Sequence, residues 1–231
     1  MNTGIIILGT ALVVLIIYMI FQNFFNTDKK FSAEGKLSAQ VDIVSDDLKT
    51  PPGDANLAYG IWIYVEKWPI AKNGGDVNTI FHRPTELKLK FKDNGGLEVE
   101  TYTGAPSGAS QSAQTTTITD NFPIQKWVYV TIAIENKIMD VYLDGKMVKS
   151  VSLDNPLAVT ETNNLVFNSN AVMDTVYMAD FIRFPRTLVP EEVWKNYMKG
   201  ASSNALTRTA GGVKVNLSVL GNGGKHIFNL W

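Results

Sequence analysis

The chain has 231 residues, with 21 lysines and arginines against 22 aspartates and glutamates, for a net charge of −1. That balance excludes a protein whose main work is gripping a phosphate backbone, so no nucleic-acid partner is expected. No cysteine occurs, which excludes disulfide scaffolds, thiolate zinc sites and cysteine nucleophiles, and the histidines are His82 and His226.

The charge is segregated. Residues 1–27 carry no acidic or basic side chain, and every charged residue lies from Asp28 onward. Gly4 to Phe25 is an apolar run that reaches about 33 Å as a helix, enough to cross a ~30 Å hydrocarbon core. Residues 1–27 therefore read as a single transmembrane helix, with Ile5, Leu12, Leu15, Tyr18, Phe21 and Phe25 in contact with the bilayer. A cleaved signal peptide would show a basic start, a shorter apolar run and a small-residue cleavage site, and none is present. Lys29, Lys30 and Lys36 follow the run while Met1-Asn2-Thr3 lacks a base. The positive-inside rule then puts the large domain on the cytoplasmic side, and the absence of cysteine agrees with a reducing compartment.

Residues 28–54 are polar and punctuated by Pro51-Pro52-Gly53, and read as a stalk with an edge strand at Lys36–Val44. Beyond them the pattern has period two rather than 3.6. Ala58–Glu66 is a buried strand rich in aromatic and β-branched residues. Glu86–Lys92 alternates Leu87, Leu89 and Phe91 with Lys88, Lys90 and Lys92, and Leu97–Tyr102 alternates in turn with Glu98 and Glu100. A three-residue turn at Asn94-Gly95-Gly96 predicts Lys92 opposite Glu98, Lys90 opposite Glu100 and Phe91 opposite Val99. Gly104–Thr117 reads as a long connection. Trp127–Ile134 and Ile138–Leu143 are strands. Asp144-Gly145 supplies the two positive-φ positions of a type I′ turn into Met147–Leu153. Asn164–Asn168 and Thr175–Phe184 follow.

Pro190–Lys199 is the helix of this region, with proline in its first turn, Glu191 and Glu192 at its positive end and Gly200 as its stop. Val193, Trp194, Tyr197 and Met198 are its expected buried face. The fold class is all-β: a two-sheet antiparallel jelly-roll sandwich over 55–200 with one short helix near its C-terminal side, behind the transmembrane helix. The tail, 201–231, reads as a closing hairpin or as a docking arm with Lys225, Phe228 and Trp231 as contacts.

Five segments in order resemble the laminin-G-like, concanavalin A-like jelly-roll family. They are Tyr59–Val65, Trp127–Thr131, Asp140–Lys146 with its Tyr-Leu-Asp-Gly-Lys hairpin, Met178–Phe184 and the helix start Leu188–Val193. The resemblance covers about 55–200 and implies a fold that hosts glycan binders, protein binders and glucan hydrolases. Membrane-anchored, cysteine-free jelly-roll proteins of large DNA virus particles are similar to this chain in architecture.

Glycoside hydrolysis needs two carboxylates, one with a raised pKa. The E-x-D-x-x-E string of the family's glucanases is missing. Glu98 and Glu100, its nearest imitation, alternate with apolar residues as a solvated face paired to lysines, so no catalytic residue is expected. A calcium site would draw on aspartates such as Asp76, Asp93, Asp174 and Asp180. No dense acidic loop exists, so no cofactor is expected, with calcium at Asp76 and Asp174 as the alternative. Trp62, Trp127 and Trp194 sit at core-patterned positions. Trp68, in a turn before Pro69, is the exposed aromatic, and with Asp76 it forms the glycan-binding candidate. The expected function is a non-enzymatic membrane-anchored structural protein whose partners are the bilayer and other structural proteins. Its specific form is a minor capsid protein tethering an internal membrane to the capsid. The alternative is a membrane-tethered lectin.

Overall fold

The computed structural model describes residues 9–17, 28–37, 40–44, 55–68, 78–104, 112–159, 162–168, 173–201, 214–220 and 226–230. A helix, α1, covers 9–17, with Leu12 and Leu15 exposed. Among the described residues no helix is long and apolar enough to cross a membrane. The other residues named for the anchor, Ile5, Tyr18, Phe21 and Phe25, lie outside the described residues. The transmembrane helix expected over residues 1–27 is therefore not seen among the described residues, of which α1 supplies nine.

The strands are β1 (Asp28–Leu37), β2 (Val41–Ile43), β3 (Leu57–Val65), β4 (Thr79–Arg83), β5 (Leu87–Phe91), β6 (Leu97–Thr103) and β7 (Ser112–Thr119). After them come β8 (Trp127–Glu135), β9 (Ile138–Leu143), β10 (Lys146–Ser152), β11 (Leu165–Phe167) and β12 (Met173–Phe184). Helix α2 (Pro190–Met198) precedes β13 (Lys214–Leu220) and β14 (His226–Leu230). They form two sheets: eight strands in the order β10-β9-β8-β3-β12-β1-β13-β14, and six in the order β2-β11-β4-β5-β6-β7. The pairings among the described strands are antiparallel, as a jelly-roll sandwich requires.

Period-two burial builds the core between the sheets. Ile61, Ile63, Val130, Ile132 and Met178 face Leu89, Val99 and Phe167. Phe181 of β12 stands edge-on to Phe81 of β4 and Phe167 of β11, at 5.2 and 4.9 Å between ring centres. Fully burying such a ring contributes about 1.5–3 kcal/mol, so this trio pins one sheet to the other.

Residues 28–44 are woven into both sheets. β1 lies between β12 and β13, while β2 is the edge of the six-stranded sheet. The sequence hid β1 because its register breaks between Phe31 and Gly35, where Gly35 has φ 142°. A bulge shifts the alternation by a residue and erases the period. β7 falls largely within the Gly104–Thr117 stretch whose composition predicts a connection. It is an edge strand in which Thr116 and Ile118 are buried and the rest is exposed or half-buried.

The β5–β6 hairpin corrects the expected register by two residues. Lys88 pairs with Glu100, Leu89 with Val99, Lys90 with Glu98 and Phe91 with Leu97. The loop has three residues, but they are Asp93-Asn94-Gly95, closed by Lys92 N–H to Gly96 C=O at 2.9 Å. Gly95 takes φ 95°, the left-handed position that ends such a turn. Alternation fixes which face a residue points to, and registers two apart satisfy it equally.

The outer face of the eight-stranded sheet is covered too. Leu188 and Val193 pack on Ala58, Ala133, Tyr142, Ile182 and Phe184. Tyr197 stacks on Trp62 at 5.7 Å, and Trp62 packs on Tyr129 at 5.1 Å. This third layer explains why β3 is buried on both faces. It also corrects the helix face: Val193 is buried, but Trp194 and Met198 are 44% and 63% exposed. A helix of nine residues crossing a sheet presents one narrow stripe, which Val193 and Tyr197 fill.

Asp144 and Gly145 have φ 49° and 77°, as a type I′ turn demands. A Cβ on Gly145 would lie 2.7 Å from Trp194 and 3.2 Å from Tyr197. Gly145→Ala is expected to lose about 1–3 kcal/mol, from left-handed strain plus overlap. Urea denaturation checks this, and an unchanged midpoint would refute it.

Candidate functional site

The outer face of the six-stranded sheet carries an ordered ladder of charge. One row runs Asp42, Val166, His82, Lys88, Glu100 and Thr115 across all six strands. The next contains Lys90, Glu98 and Thr117. Lys90 lies 3.2 Å from Glu98 and 3.4 Å from Glu100, and Lys88 lies 3.6 Å from Glu100. The Tyr102 hydroxyl donates to Glu100 at 2.7 Å.

Burial raises the Glu100 carboxyl, but the Tyr102 bond and the Lys88 and Lys90 charges outweigh it and hold the group below its ordinary value of 4.5. For Lys90, burial lowers the ammonium, but its bonds and attraction to Glu98 and Glu100 leave it raised above 10.5. Both shifts favour the ionised pair. Glu100 therefore stabilises the fold above its ordinary value, and that contribution disappears as pH falls through its lowered value. The Lys90 contribution is present below 10.5 and disappears as pH rises through the raised value. Melting temperature against pH is expected to fall at the acid end less steeply in Glu100→Gln than in the native chain. Superimposable acid limbs would refute this.

Where this ladder meets the β5–β6 turn, an open cleft of about 370 Å³ is lined by Asn78, Lys90, Phe91, Lys92, Asp93, Asn94 and Glu98. Asn78 is buried and its carbonyl accepts from Phe91 N–H at 3.0 Å, which ties the start of β4 to the hairpin. Lys92 is paired to Asp120 at 2.7 Å. Asp93 and Asn94 are exposed at the loop tip. The cleft thus offers amide, carboxylate and ammonium groups within a few ångströms, chemistry suited to hydroxyl-rich ligands.

Trp68 stands behind this cleft rather than free in solvent. It is half-buried, edge-on to Phe91 at 5.0 Å, with its ring 3.8 Å from the Cβ position of Gly95. Its partner in the glycan reading, Asp76, lies outside the described residues, in the 69–77 segment that joins Trp68 to Asn78. Asp174 is exposed at the start of β12, in the other sheet. Its charge, after the Tyr177 bond, helps to raise the Lys36 ammonium above its ordinary value. Asp180 is nearly buried at a bulge of β12 with φ 47°. No cluster of three acidic or histidine ligands occurs among the described residues, and Asp93, Asp174 and Asp180 do not gather. In the tail, Phe228 falls in β14 opposite Val219, on a hairpin that extends the eight-stranded sheet beyond β1. Lys225 and Trp231 lie outside the described residues.

The sequence reading missed a buried charge cluster between the sheets. Arg83 and Glu86 form an ion pair at 2.8 Å with side chains 1% and 0% exposed. The Tyr59 hydroxyl donates to the second oxygen of Glu86, and Arg183 Nε donates to Tyr59 at 3.2 Å. Burial, and then the Glu86 charge, push the Tyr59 hydroxyl far above its ordinary range, so it stays a proton donor. The signal was available: Arg183 shares the parity of Phe181, which places it on the inward face of β12.

A family model described as Laminin_G_3, concanavalin A-like lectin/glucanases superfamily, matches residues 37–193. Among solved structures, the chain is similar to the receptor-binding domain of botulinum neurotoxin C/D mosaic serotype, with 18% identity, TM-score 0.53 and coverage of 77% of this chain and 43% of that one. It is similar to the binding domain of botulinum neurotoxin DC in complex with rat synaptotagmin II, with 16% identity, TM-score 0.53 and coverage of 77% and 44%. A structure of botulinum neurotoxin type C, whose cell entry depends on interaction with two ganglioside molecules, matches at 15% identity and TM-score 0.52, covering 75% and 42%. The chain therefore spans less than half the length of these structures, and identities this low establish the shared fold alone. No curated protein matches the chain significantly.

Proposed function

The chain belongs to the Laminin_G_3 family of the concanavalin A-like lectin/glucanases superfamily, and on that premise we propose a non-enzymatic recognition module that an apolar N-terminal segment holds at a membrane, where it engages other structural proteins. The carrying observation is the state of the carboxylates on the six-stranded sheet. A hydrolase needs one carboxyl held protonated opposite a free one. Here Glu98 and Glu100 are both ion-paired to lysine, and Glu100 is pushed towards ionisation. The apolar run of residues 4–25 and the exposed α1 side chains support the membrane part. The specific form is a minor structural protein on the cytoplasmic side that ties an internal membrane to the protein shell of a large virus particle.

Protease protection in sealed membranes tests the topology: digestion of residues 55–200 from the cytoplasmic face is expected, and protection there overturns the assignment. Particle fractionation tests the role. The chain should co-purify with both membrane and shell, and particles that lack it remove the capsid reading.

The cleft beside Asn78, Asp93 and Asn94 favours a second reading, a membrane-tethered lectin. A glycan array with and without calcium should then give binding that Asp93→Ala and Asn94→Ala abolish without changing the melting temperature. An empty array dismisses it.

A further inference from the structure

The eight-stranded sheet ends in β10, and among the described strands nothing pairs with its outer edge. Gln114 caps the far end through the Ser152 carbonyl at 3.4 Å, which leaves the backbone of Lys146 to Val151 open over about 20 Å. A bulge between Met147 and Lys149 breaks the alternation, and both Met147 and Val148 are exposed, at 49% and 44%. Trp194 lies against the Gly145 turn that leads into this strand, and Met198 is one helical turn further along the same face. Four large apolar side chains thus surround one open strand edge.

The rim of this patch is basic. Lys146 and Lys149 are exposed on β10, and Lys195 and Lys199 are exposed on α2. Three nearby acids are engaged, Glu191 by Lys195 at 2.7 Å, Glu192 by Arg186 at 2.8 Å and Asp144 by Lys126 at 2.7 Å; Asp140 of β9, opposite Ser150, is half-buried with an unbonded oxygen, so the surplus positive charge at the edge rests on Lys146, Lys149 and Lys199. Asp154 lies past the capped end.

Lysines and a bulge are common protection for an edge strand. Protection alone does not account for an exposed tryptophan, two methionines and a valine at the same edge. A second copy pairing there would bring lysine against lysine, whereas an acidic strand would find complementary charge. We infer that β10, with Trp194 and Met198, is the docking site for an extended acidic segment of a partner protein, which adds to the sheet as a ninth strand.

The test uses the full chain in neutral-lipid nanodiscs and a ten-residue peptide of alternating glutamate and valine. Controls are the same peptide with lysine for glutamate, and one with alternate amides N-methylated. The expected result is that the acidic peptide binds at least about tenfold more tightly than either control. It should shift Trp194 fluorescence and protect the β10 amides from hydrogen exchange. Lys146→Glu with Lys149→Glu should reverse the charge preference, and Trp194→Ala should weaken binding while circular dichroism stays unchanged. Equal binding of acidic and basic peptides overturns the proposal, as does indifference to N-methylation. Protection of β10 by anionic vesicles but not by peptide would make the patch a membrane contact. Protection that appears only with rising chain concentration would make it a self-interface. Either overturns the proposal.

Discussion

Glu86→Ala is expected to destabilise the sandwich by about 3–5 kcal/mol, the loss seen when one partner of a buried ion pair is removed. Glu86 is fully buried, and its two oxygens accept from Arg83 and Tyr59. Removing it takes away the carboxylate that Arg83 binds directly and that Arg183 reaches through Tyr59, while both guanidiniums stay buried. The Arg83 Nε bond to the Asn163 carbonyl at 3.1 Å and the Arg183 bond to Tyr59 cannot replace a full negative charge. For a domain of this size the loss corresponds to a fall in Tm of roughly 10 °C. Glu86→Gln keeps the shape and one acceptor, so it should cost less than alanine but still far more than an exposed change. The double variant Arg83→Met, Glu86→Leu should recover part of the loss, because an apolar pair of similar volume needs no desolvation of charge. Urea denaturation of the three variants decides it. A double variant no better than Glu86→Ala, or a Glu86→Ala loss under about 1 kcal/mol, would show that the cluster is not holding the sheets together.

Gly60→Ala carries the second large effect, by sterics alone. Gly60 lies in the middle of β3, and the hydroxyl end of Tyr129, from the neighbouring strand, reaches over it. A Cβ built there overlaps the Tyr129 hydroxyl oxygen and comes 3.1 Å from the carbon that bears it. Tyr129 cannot retreat, because Trp62 packs against it and Tyr197 of α2 stacks on Trp62. Overpacking of this kind costs about 1–3 kcal/mol. Tyr129→Phe should rescue most of it, since deleting the hydroxyl removes the closest clash. That hydroxyl is buried with no well-formed hydrogen bond, so its loss is nearly free. Additive losses in the Gly60→Ala, Tyr129→Phe cycle would refute the account.

Much of the fold was legible because alternation is a property of neighbouring residues. The Leu87, Leu89, Phe91 stripe and the Ile61, Ile63, Val65 stripe name the inward faces with no knowledge of partners. Asp144-Gly145 names its turn because the backbone conformation is local. β7 was illegible because an edge strand with one buried stripe needs few apolar residues. β1 was illegible because a bulge breaks the period. In the candidate site, the Lys–Glu pairing was readable as a face but not as a register. Trp68 looked exposed because its local context is a turn, while its burial comes from Phe91, distant in sequence.

The near-neutral composition, the uncharged first 27 residues and the period-two pattern were determined by the chain alone, because each depends on residue identity and short-range geometry. Tertiary structure decided three other matters. It chose between hairpin registers two residues apart, which local alternation leaves equal in energy. It buried Arg83, Glu86 and Arg183 together, because charges from two distant segments compensate one another only once the sheets close. It left Trp194 in solvent beside an open strand while burying Trp62, because a short helix crossing a sheet covers one stripe and no more.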